Sequence, residues 1–400
     1  MNRIEKLLQT LAPKGVEFRK LGEVLEYDQP NQYCVKSKEF DKSYPTPVLT
    51  AGKTFILGYT NEKDNIYQAS KNAPVIIFDD FTTATQWVDF PFKVKSSAMK
   101  ILLPKNPTIN IRFIFFYMQT IPYNISGEHT RQWISRYSLI TIPIPPLEIQ
   151  QEIVKILDAF TELNTELNTE LKARKKQYQY YQNMLLDFNS INQNHKDAKM
   201  SAKTYPKRLK TLLQTLAPNG VEFRKLGEVL EYDQPNQYCV KSKEFDKSYP
   251  TPVLTAGKTF ILGYTNEKDN IYQASKNAPV IIFDDFTTAT QWVDFPFKVK
   301  SSAMKILLPK NPTINIRFIF FYMQTIPYNI SGEHTRQWIS RYSLITIPIP
   351  PLEIQQEIVK ILDQFSLLTT DLLAGIPAEI EARKKQYEYY REKLLTFKPL

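Results

Sequence analysis

Side chains able to hydrogen-bond to nucleic-acid bases gather in residues 126–133. Arg131 suits a bidentate contact with guanine, and Gln132 suits the corresponding contact with adenine. Two further donors and a glycine that permits close backbone approach lie in the same segment, at Ser126, His129 and Gly127. The alternative is that Trp133 belongs to a hydrophobic core and Arg131 is an ordinary surface charge. Residues 126–133 are the first candidate for base contacts.

A second segment, residues 82–87, offers Thr83 and Gln86 as base readers. Other basic and hydroxyl side chains suit phosphate contacts, which position a protein on DNA without reading sequence. They are Lys53, Thr54, Lys93, Lys95, Ser96 and Ser97, with Lys36 and Lys38 as weaker candidates. A net charge of +10 also favours a polyanionic partner.

The sequence contains no convincing catalytic, cofactor or metal motif. Residues 52–54 resemble the end of a phosphate-binding loop, but Pro47 occupies the place of the first required glycine. None of the eleven glycines fits a G-x-G-x-x-G fingerprint, and three histidines with two cysteines do not make a zinc site. Asp79 and Asp80 could suggest a nuclease, but a turn or capping role is favoured. We therefore expect a non-catalytic protein with no cofactor and no metal.

The chain contains a large internal duplication. Residues 7–158 recur as residues 212–363, and the only difference is Lys14 against Asn219. Each candidate site residue therefore has a twin 205 positions later. The twins of the candidates are Ser331, Gly332, His334, Arg336, Gln337, Thr288, Gln291, Lys258, Lys300 and Ser301. Two identical binding surfaces should lie on one polypeptide.

Within each copy the pattern predicts a mixture of helices and strands. Residues 3–11 and 109–119 are predicted helices. Segments rich in β-branched and aromatic residues are predicted strands: residues 46–50, 54–57, 75–78, 92–94, 99–103 and 139–144. The fold class expected from this pattern is α+β, with a substantial sheet in each copy.

Each copy runs into a long amphipathic helix, over residues 147–186 and 352–395. In the first, apolar positions recur in steps of four and three, as in the seam of a coiled coil. The seam residues are Ile149, Ile153, Ile156, Phe160, Leu163, Leu167, Leu171, Tyr178, Tyr181 and Leu185. A helix of this size is about 60 Å long, too long for one small domain to cover. Gly375 and Pro377 should break or kink the second helix.

The two helices differ in a run of four-residue repeats. Residues 161–172 make three near-identical tetrads, and the second helix carries one tetrad more. Four residues add about 6 Å and slightly more than one turn, so the apolar face is nearly kept while the rod lengthens. We interpret the tetrads as a ruler, with low-complexity helix filler as the alternative.

The start of the first helix is distinctive. Residues 139–153 read Leu-Ile-Thr-Ile-Pro-Ile-Pro-Pro-Leu-Glu-Ile-Gln-Gln-Glu-Ile. This segment, with the tetrads and the duplicated arrangement, resembles the specificity subunit of type I restriction–modification systems, over essentially the whole chain. The resemblance implies two globular target recognition domains with mixed sheets, separated by long helices that pack as an antiparallel coiled coil.

The same resemblance implies partners and a target. Each recognition domain would read one half of a split site in double-stranded DNA, and a glycine-containing loop before the last strand would lie near the DNA. The helices would set the spacing and hold methyltransferase (M) subunits, two in number, alongside restriction (R) subunits. Recognition domains in one subunit usually differ, whereas here they match. We therefore expect an interrupted palindrome, because two-fold protein symmetry is mirrored in the DNA site.

The expected domain organisation follows the chain in order. It comprises recognition domain 1 (1–146), spacer helix 1 (147–188), a polar linker (189–210), recognition domain 2 (211–351) and spacer helix 2 (352–397). No signal peptide or membrane span is recognisable, so a cytoplasmic protein is expected.

Two alternatives remain open. One is a structural coiled-coil adaptor without DNA affinity. The other is a single-chain restriction methyltransferase, but both Pro-Pro pairs are followed by leucine rather than by the aromatic residue that an adenine methyltransferase needs.

Overall fold

The computed structural model describes residues 2–50, 54–122, 130–188, 205–255, 259–327, 335–370 and 375–400. The chain divides into two compact units. The first unit comprises residues 1–168 with 379–400, and the second comprises residues 169–378. Each unit therefore contains one copy of the duplicated sequence, the beginning of the helix that follows it, and the end of the other long helix.

The described residues of the first copy form three sheets and, besides the long helix, three α-helices. The helices are α1 (Asn2–Leu11), α2 (Leu21–Val24), α3 (Ile111–Met118) and α4 (Leu147–Leu186). The strands are β1 (Glu17–Lys20), β2 (Leu25–Asp28), β3 (Thr46–Leu49), β4 (Ile56–Thr60), β5 (Val75–Asp79), β6 (Thr85–Val88), β7 (Lys93–Val94), β8 (Met99–Pro104) and β9 (Thr141–Ile144). They form an antiparallel sheet β2-β8-β5-β6, a mixed sheet β4-β3-β7 and the pair β1-β9. The predicted α+β class is confirmed.

The second copy repeats this arrangement with the same pairings. Its helices are α5 (Lys207–Leu216), α6 (Leu226–Val229), α7 (Ile316–Met323), α8 (Leu352–Thr370) and α9 (Ile376–Leu395). Its strands are β10 (Glu222–Lys225), β11 (Leu230–Asp233), β12 (Thr251–Leu254), β13 (Ile261–Thr265), β14 (Val280–Asp284), β15 (Thr290–Val293), β16 (Lys298–Val299), β17 (Met304–Pro309) and β18 (Thr346–Ile349).

Strand β5 of the first copy, like β14 of the second, lies inside its four-stranded sheet and is apolar on both faces. Alternate side chains of a strand point to opposite sides. Ile76 and Phe78 pack in the core that includes α3, whereas Val75 and Ile77 pack in a second core against the mixed sheet. All five residues of β5 are buried. The polar residues that follow the strand are consequently held in a fixed position.

The glutamine of the helix-start motif joins α4 to α3. Gln150 is fully buried, and its side-chain oxygen accepts a hydrogen bond from the Asn110 N–H at 2.8 Å. Its amide donates to the carbonyls of Pro145 and Thr108. Asn110 in turn caps α3 by accepting from two backbone N–H groups, as N-cap asparagines do. The motif residue is therefore structural.

The long helix α4 uses two faces. Ile149, Ile153 and Leu157 are fully buried in the core of the first copy. Phe160 instead contacts the end of the other helix, with ring centroids 5.5 Å from Tyr390 and 6.3 Å from Tyr387. The predicted seam omitted Leu157 and included Ile156, which is only half-buried. Part of the predicted apolar stripe thus faces the helix's own domain, which periodicity alone could not separate from the coiled-coil seam.

The helices of the first unit run in opposite directions. Leu394 and Leu395 belong to the core that contains the beginning of α4, whereas residues earlier in α9 meet Phe160, further along α4. In the second unit, Tyr181 stacks on Phe365 with ring centroids 5.0 Å apart. The antiparallel coiled coil is confirmed.

Two predicted segment bounds change. The second long helix is interrupted: α8 ends at Thr370 and α9 begins at Ile376, with Pro377 in the first turn, where proline is tolerated. The break expected at Gly375 and Pro377 is thus present. Helix α5 begins at Lys207, so the last four residues of the predicted linker 189–210 are helical. In the part of the chain that the structure describes, no helix is long and apolar enough to span a membrane.

Candidate nucleic-acid interface

Three of the predicted DNA-contacting segments meet at Asp80, directly after β5. Its backbone N–H donates to the carbonyl of Ala98 at 3.2 Å, and its carbonyl accepts from the Gln132 N–H at 2.8 Å. Its Oδ1 accepts from the backbone N–H groups of Gln132 and Trp133 at 3.1 and 2.8 Å. The β5–β6 turn, the loop before β8 and the segment after residue 130 are therefore joined around one buried carboxylate.

The β5–β6 turn is built by Asp79. Its Oδ1 accepts from the N–H groups of Phe81 and Thr82 at 2.9 and 3.3 Å, and its carbonyl accepts from the Thr83 N–H at 2.9 Å. The predicted turn role of Asp79 is confirmed. Gln86 was predicted to read a base from a loop, but it is exposed on strand β6, paired with Ile77, and that strand was not predicted. A four-residue strand beside a threonine-rich turn gave no sequence signal distinct from a loop.

Thr83 has a strained backbone, with φ of 60°, and its twin Thr288 has φ of 61°. A β-branched residue in this region costs about 1–2 kcal/mol. We expect Thr83→Gly with Thr288→Gly to raise the free energy of unfolding by up to about 1 kcal/mol per copy, since glycine has no such penalty. If the threonine hydroxyl reads a base, the same change should weaken target binding. Urea unfolding and DNA titration measure the two effects.

Thr82→Gly with Thr287→Gly is the matched control, because the Thr82 hydroxyl donates to Asp79 Oδ2. Thr82 does not have a positive φ, so this change should destabilise the protein. Equal destabilisation by the substitutions at Thr82 and Thr83 would mean that the positive φ at Thr83 stores no recoverable strain.

Arg131 is a candidate base reader that the structure leaves accessible. Its side chain is 48% exposed, and its Nη1 lies 3.9 Å from Asp80 Oδ2. In the second copy, Arg336 Nη1 lies 3.7 Å from Asp285 Oδ2 and donates to the Ser302 carbonyl at 3.3 Å. The guanidinium thus lies where the three segments meet, and about half of the arginine side chain is exposed to solvent.

The prediction that Gln132 reads a base is wrong. Gln132 and its twin Gln337 are fully buried, and the Gln132 amide donates to the Thr130 carbonyl at 2.8 Å. Its neighbour Trp133 is 2% exposed and packs edge-on against Phe78. The alternative interpretation of Trp133 as a core residue is therefore right. Gln132 is buried because its backbone N–H and that of Trp133 donate to Asp80, which itself lies inside the domain.

Of the predicted phosphate-binding lysines, Lys95 is exposed and Lys93 is not. Lys95 and Ser96 are exposed in the loop before β8, as are their twins Lys300 and Ser301. Lys93 is 1% exposed; its Nζ lies 3.2 Å from Glu62 Oε2 and donates to the Asp64 carbonyl. Lys93 therefore cannot contact a phosphate, which corrects its assignment. In β7 the chain directs this side chain inward, where Glu62 neutralises it.

Several candidates lie outside the described residues, and their role stays a prediction. They are Ser126, Gly127 and His129 with Ser331, Gly332 and His334, and Lys53 with Lys258. Thr54 is described and exposed.

Sequence reasoning missed Lys100, a buried lysine on β8. Its side chain is 2% exposed; its Nζ lies 3.7 Å from Asp80 Oδ2, donates to Gln29 Oε1 and sits 4.5 Å from the centre of the Tyr27 ring. Burial lowers the pKa of Lys100, and the Asp80 carboxylate opposes that shift. The sequence could have indicated that Lys100 is buried. It lies two residues before the core residue Leu102, and alternate residues of a strand such as β8 point to the same face. Among the described residues, no group of three or more His, Cys, Asp or Glu side chains could hold a metal ion.

Known proteins resemble the chain over almost its whole length. A family model described as the type I restriction modification DNA specificity domain matches residues 13–195 and again 218–382. The specificity subunit of the type I restriction enzyme EcoR124I/EcoR124II from Escherichia coli is 37% identical, over 99% of this chain and 97% of its own length. A putative type I restriction enzyme specificity subunit from Haemophilus influenzae is 28% identical, over 98% of each protein.

A solved structure shares the fold. The crystal structure of a type I restriction–modification S subunit from M. genitalium superposes with a TM-score of 0.65 at 16% identity, covering 95% of this chain and 96% of that one. The first match includes all of α4, and the second includes α8 and the beginning of α9. With two such matches and a 37% identical relative of nearly equal length, the chain belongs to the specificity-subunit family of type I restriction–modification systems.

Proposed function

We propose that this protein is the DNA sequence-recognition subunit of a type I restriction–modification complex. The observation that carries the proposal is the double match to the DNA specificity family, one match on each copy of the duplication. The convergence of three polar segments on Asp80, with Arg131 and Lys95 exposed beside it, supports a nucleic-acid surface in each copy.

The target is an interrupted palindrome in double-stranded DNA. The two copies differ at one position in 152 aligned residues, Lys14 against Asn219, and the candidate site residues are identical. Identical surfaces read identical half-sites. Read in inverted order, as symmetric DNA-binding proteins read theirs, identical half-sites make a palindrome.

The chain itself does no chemistry in this proposal. It presents the bound site to two methyltransferase subunits, which modify it, and to restriction subunits, which translocate and cut DNA. No cofactor binds to the chain, and the complex acts in the cytoplasm. Support comes from family membership and from the absence of a recognisable catalytic motif in the sequence.

The first test is modified-base sequencing of DNA from cells that carry this subunit with its cognate methyltransferase. The proposal requires an interrupted palindrome methylated in both half-sites. An asymmetric motif would show that the two copies are not used equivalently. Absence of any motif, with the complex assembled, would favour the coiled-coil adaptor without DNA affinity.

A second test uses filter binding over a salt series. For a DNA-recognition subunit, the logarithm of the association constant should fall linearly with the logarithm of the salt concentration, because phosphate contacts release counterions. An adaptor should show no measurable binding at any salt concentration. Methyl transfer by the purified chain alone would instead revive the single-chain methyltransferase.

A further inference from the structure

A buried carboxylate is shared by two cations at the surface where the three segments meet. Asp80 is fully buried, and its Oδ1 is occupied by two backbone N–H groups. Among the described residues its Oδ2 has no hydrogen-bond partner, and it lies between Lys100 Nζ at 3.7 Å and Arg131 Nη1 at 3.9 Å. The second copy repeats this arrangement, with an equally orphaned oxygen on Asp285.

The two cations are not equivalent. Lys100 is buried and fixed by Gln29 and the Tyr27 ring, so it neutralises Asp80 permanently. Arg131 is half exposed and stands beyond hydrogen-bond distance from the carboxylate. The three groups together carry one surplus positive charge, and the arginine brings that charge to the surface. A buried charge without a partner is costly, and Lys100 removes that cost whenever Arg131 moves away.

The contacts of the arginine differ slightly between the two copies. Arg336 is closer to its carboxylate than Arg131 and donates to the Ser302 carbonyl, although the surrounding sequence is identical in the two copies. The same Ser302 carbonyl accepts from the Gln234 amide, so the arginine adds to a bond already made. Each of these arginine contacts is long for a hydrogen bond, at 3.3, 3.7 and 3.9 Å.

We propose that Asp80 is a positioning residue for base reading, and that Lys100 frees Arg131 to leave Asp80 for a guanine in the DNA. Asp80 fixes the backbone directly after the arginine, at Gln132 and Trp133, and so directs the guanidinium toward the surface. Lys100 acts without touching DNA. This inference rests on the proposed function, and it adds two buried residues per copy, with twins Asp285 and Lys305, to those that determine specificity.

The test is a double-mutant cycle in the full chain assembled with its methyltransferase subunits. The probes are a duplex carrying the target found by modified-base sequencing and a scrambled duplex of equal length. Asp80→Asn with Asp285→Asn keeps an oxygen that can accept from the backbone but removes the charge. We expect about a tenfold loss of target affinity, a smaller loss on the scrambled duplex, and no further loss when Arg131 and Arg336 are already alanine.

Lys100→Met with Lys305→Met is the second variant, because Arg131 then becomes the only counterion of Asp80. We expect a similar loss of target affinity with an unchanged salt slope. Lys95→Ala with Lys300→Ala should instead lower the slope by about one for each lysine that binds a phosphate. Asp158→Asn with Asp363→Asn makes the same charge change in an ion pair with Arg112 or Arg317, and it should leave discrimination unaltered.

The outcomes separate two failures. Equal binding of target and scrambled duplexes by the unmutated complex would overturn the proposed function itself. Normal discrimination, with an Asp80→Asn loss that persists in the alanine background, would mean that Asp80 only supports the fold. A reduced salt slope in the Lys100 variant would mean that this lysine contacts phosphate. Either of the last two results overturns the inference. Urea unfolding of each variant identifies losses caused by instability.

Discussion

Replacing Arg131 and Arg336 together with alanine should weaken binding to the target by about 1–3 kcal/mol for each half-site, roughly 5- to 150-fold each. Binding to non-specific DNA should fall much less, because a base contact contributes only at the correct sequence. The expectation rests on the position of Arg131, half exposed at the point where three loop segments are joined through Asp80. Titration of target and scrambled duplexes at fixed salt measures the difference.

Arg136→Ala with Arg341→Ala is the matched control, since both side chains are exposed and the change in charge is the same. This control should lower the affinity for the target duplex and the affinity for the scrambled duplex by similar factors. Substituting 7-deazaguanine for each target guanine in turn then locates the contact, because this base lacks the N7 acceptor. At the contacted guanine, 7-deazaguanine should weaken binding by the unmutated protein and leave binding by the alanine variant unchanged. Equal losses on target and scrambled duplexes would exclude base reading by Arg131.

Deleting one tetrad from α4, residues 165–168, should change the spacing between the two half-sites. Four residues correspond to about 6 Å of helix, the length of about two base pairs at roughly 3.4 Å each. We expect the methylated motif to keep both half-sites and to change by one or two base pairs between them. Because the original spacing is then mismatched, methylation of the original target should be lost.

The control for this deletion keeps the length and changes the sequence. Thr165→Ala with Asn168→Ala preserves the seam residue Leu167 and should leave the motif unaltered. Modified-base sequencing reads both variants. An unchanged motif after the deletion would identify the tetrads as helix filler and refute the ruler interpretation.

Local patterns predict the structure correctly where neighbouring residues decide it. The extent of α4 and the break near Pro377 follow from periodicity and from the geometry of proline, so the long helices were predicted closely. The strands β1, β2 and β6 were not predicted, because four residues carry little pattern. Their identity depends on partners elsewhere in the chain, such as β9 for β1 and β8 for β2.

The candidate site was predicted at the level of segments and only partly at the level of residues. Residues 82–87, 95–97 and 131–133 do come together, since a hairpin turn and two loops meet at the end of β5. Within these segments, the exposure of each side chain decides whether it is available to contact DNA. Arg131 and Lys95 reach solvent, whereas Gln132 and Lys93 are buried with polar partners. Composition cannot distinguish these cases, because the same residue types occur both in solvated loops and in interior positions where their polar groups are satisfied.

The sequence by itself determined the duplication, the identity of the two recognition surfaces, the long helices and, through its resemblance to a family, the expectation of DNA recognition. These properties depend on residue identity and short-range spacing, which the chain displays directly. Only the tertiary structure decided that Asp80 and Lys100 form a buried pair and that Arg131 stands beside them. That arrangement requires residues from β5, β8 and the segment before β9 to meet. The free energy of burying a charge depends on this meeting and on no local feature of the chain.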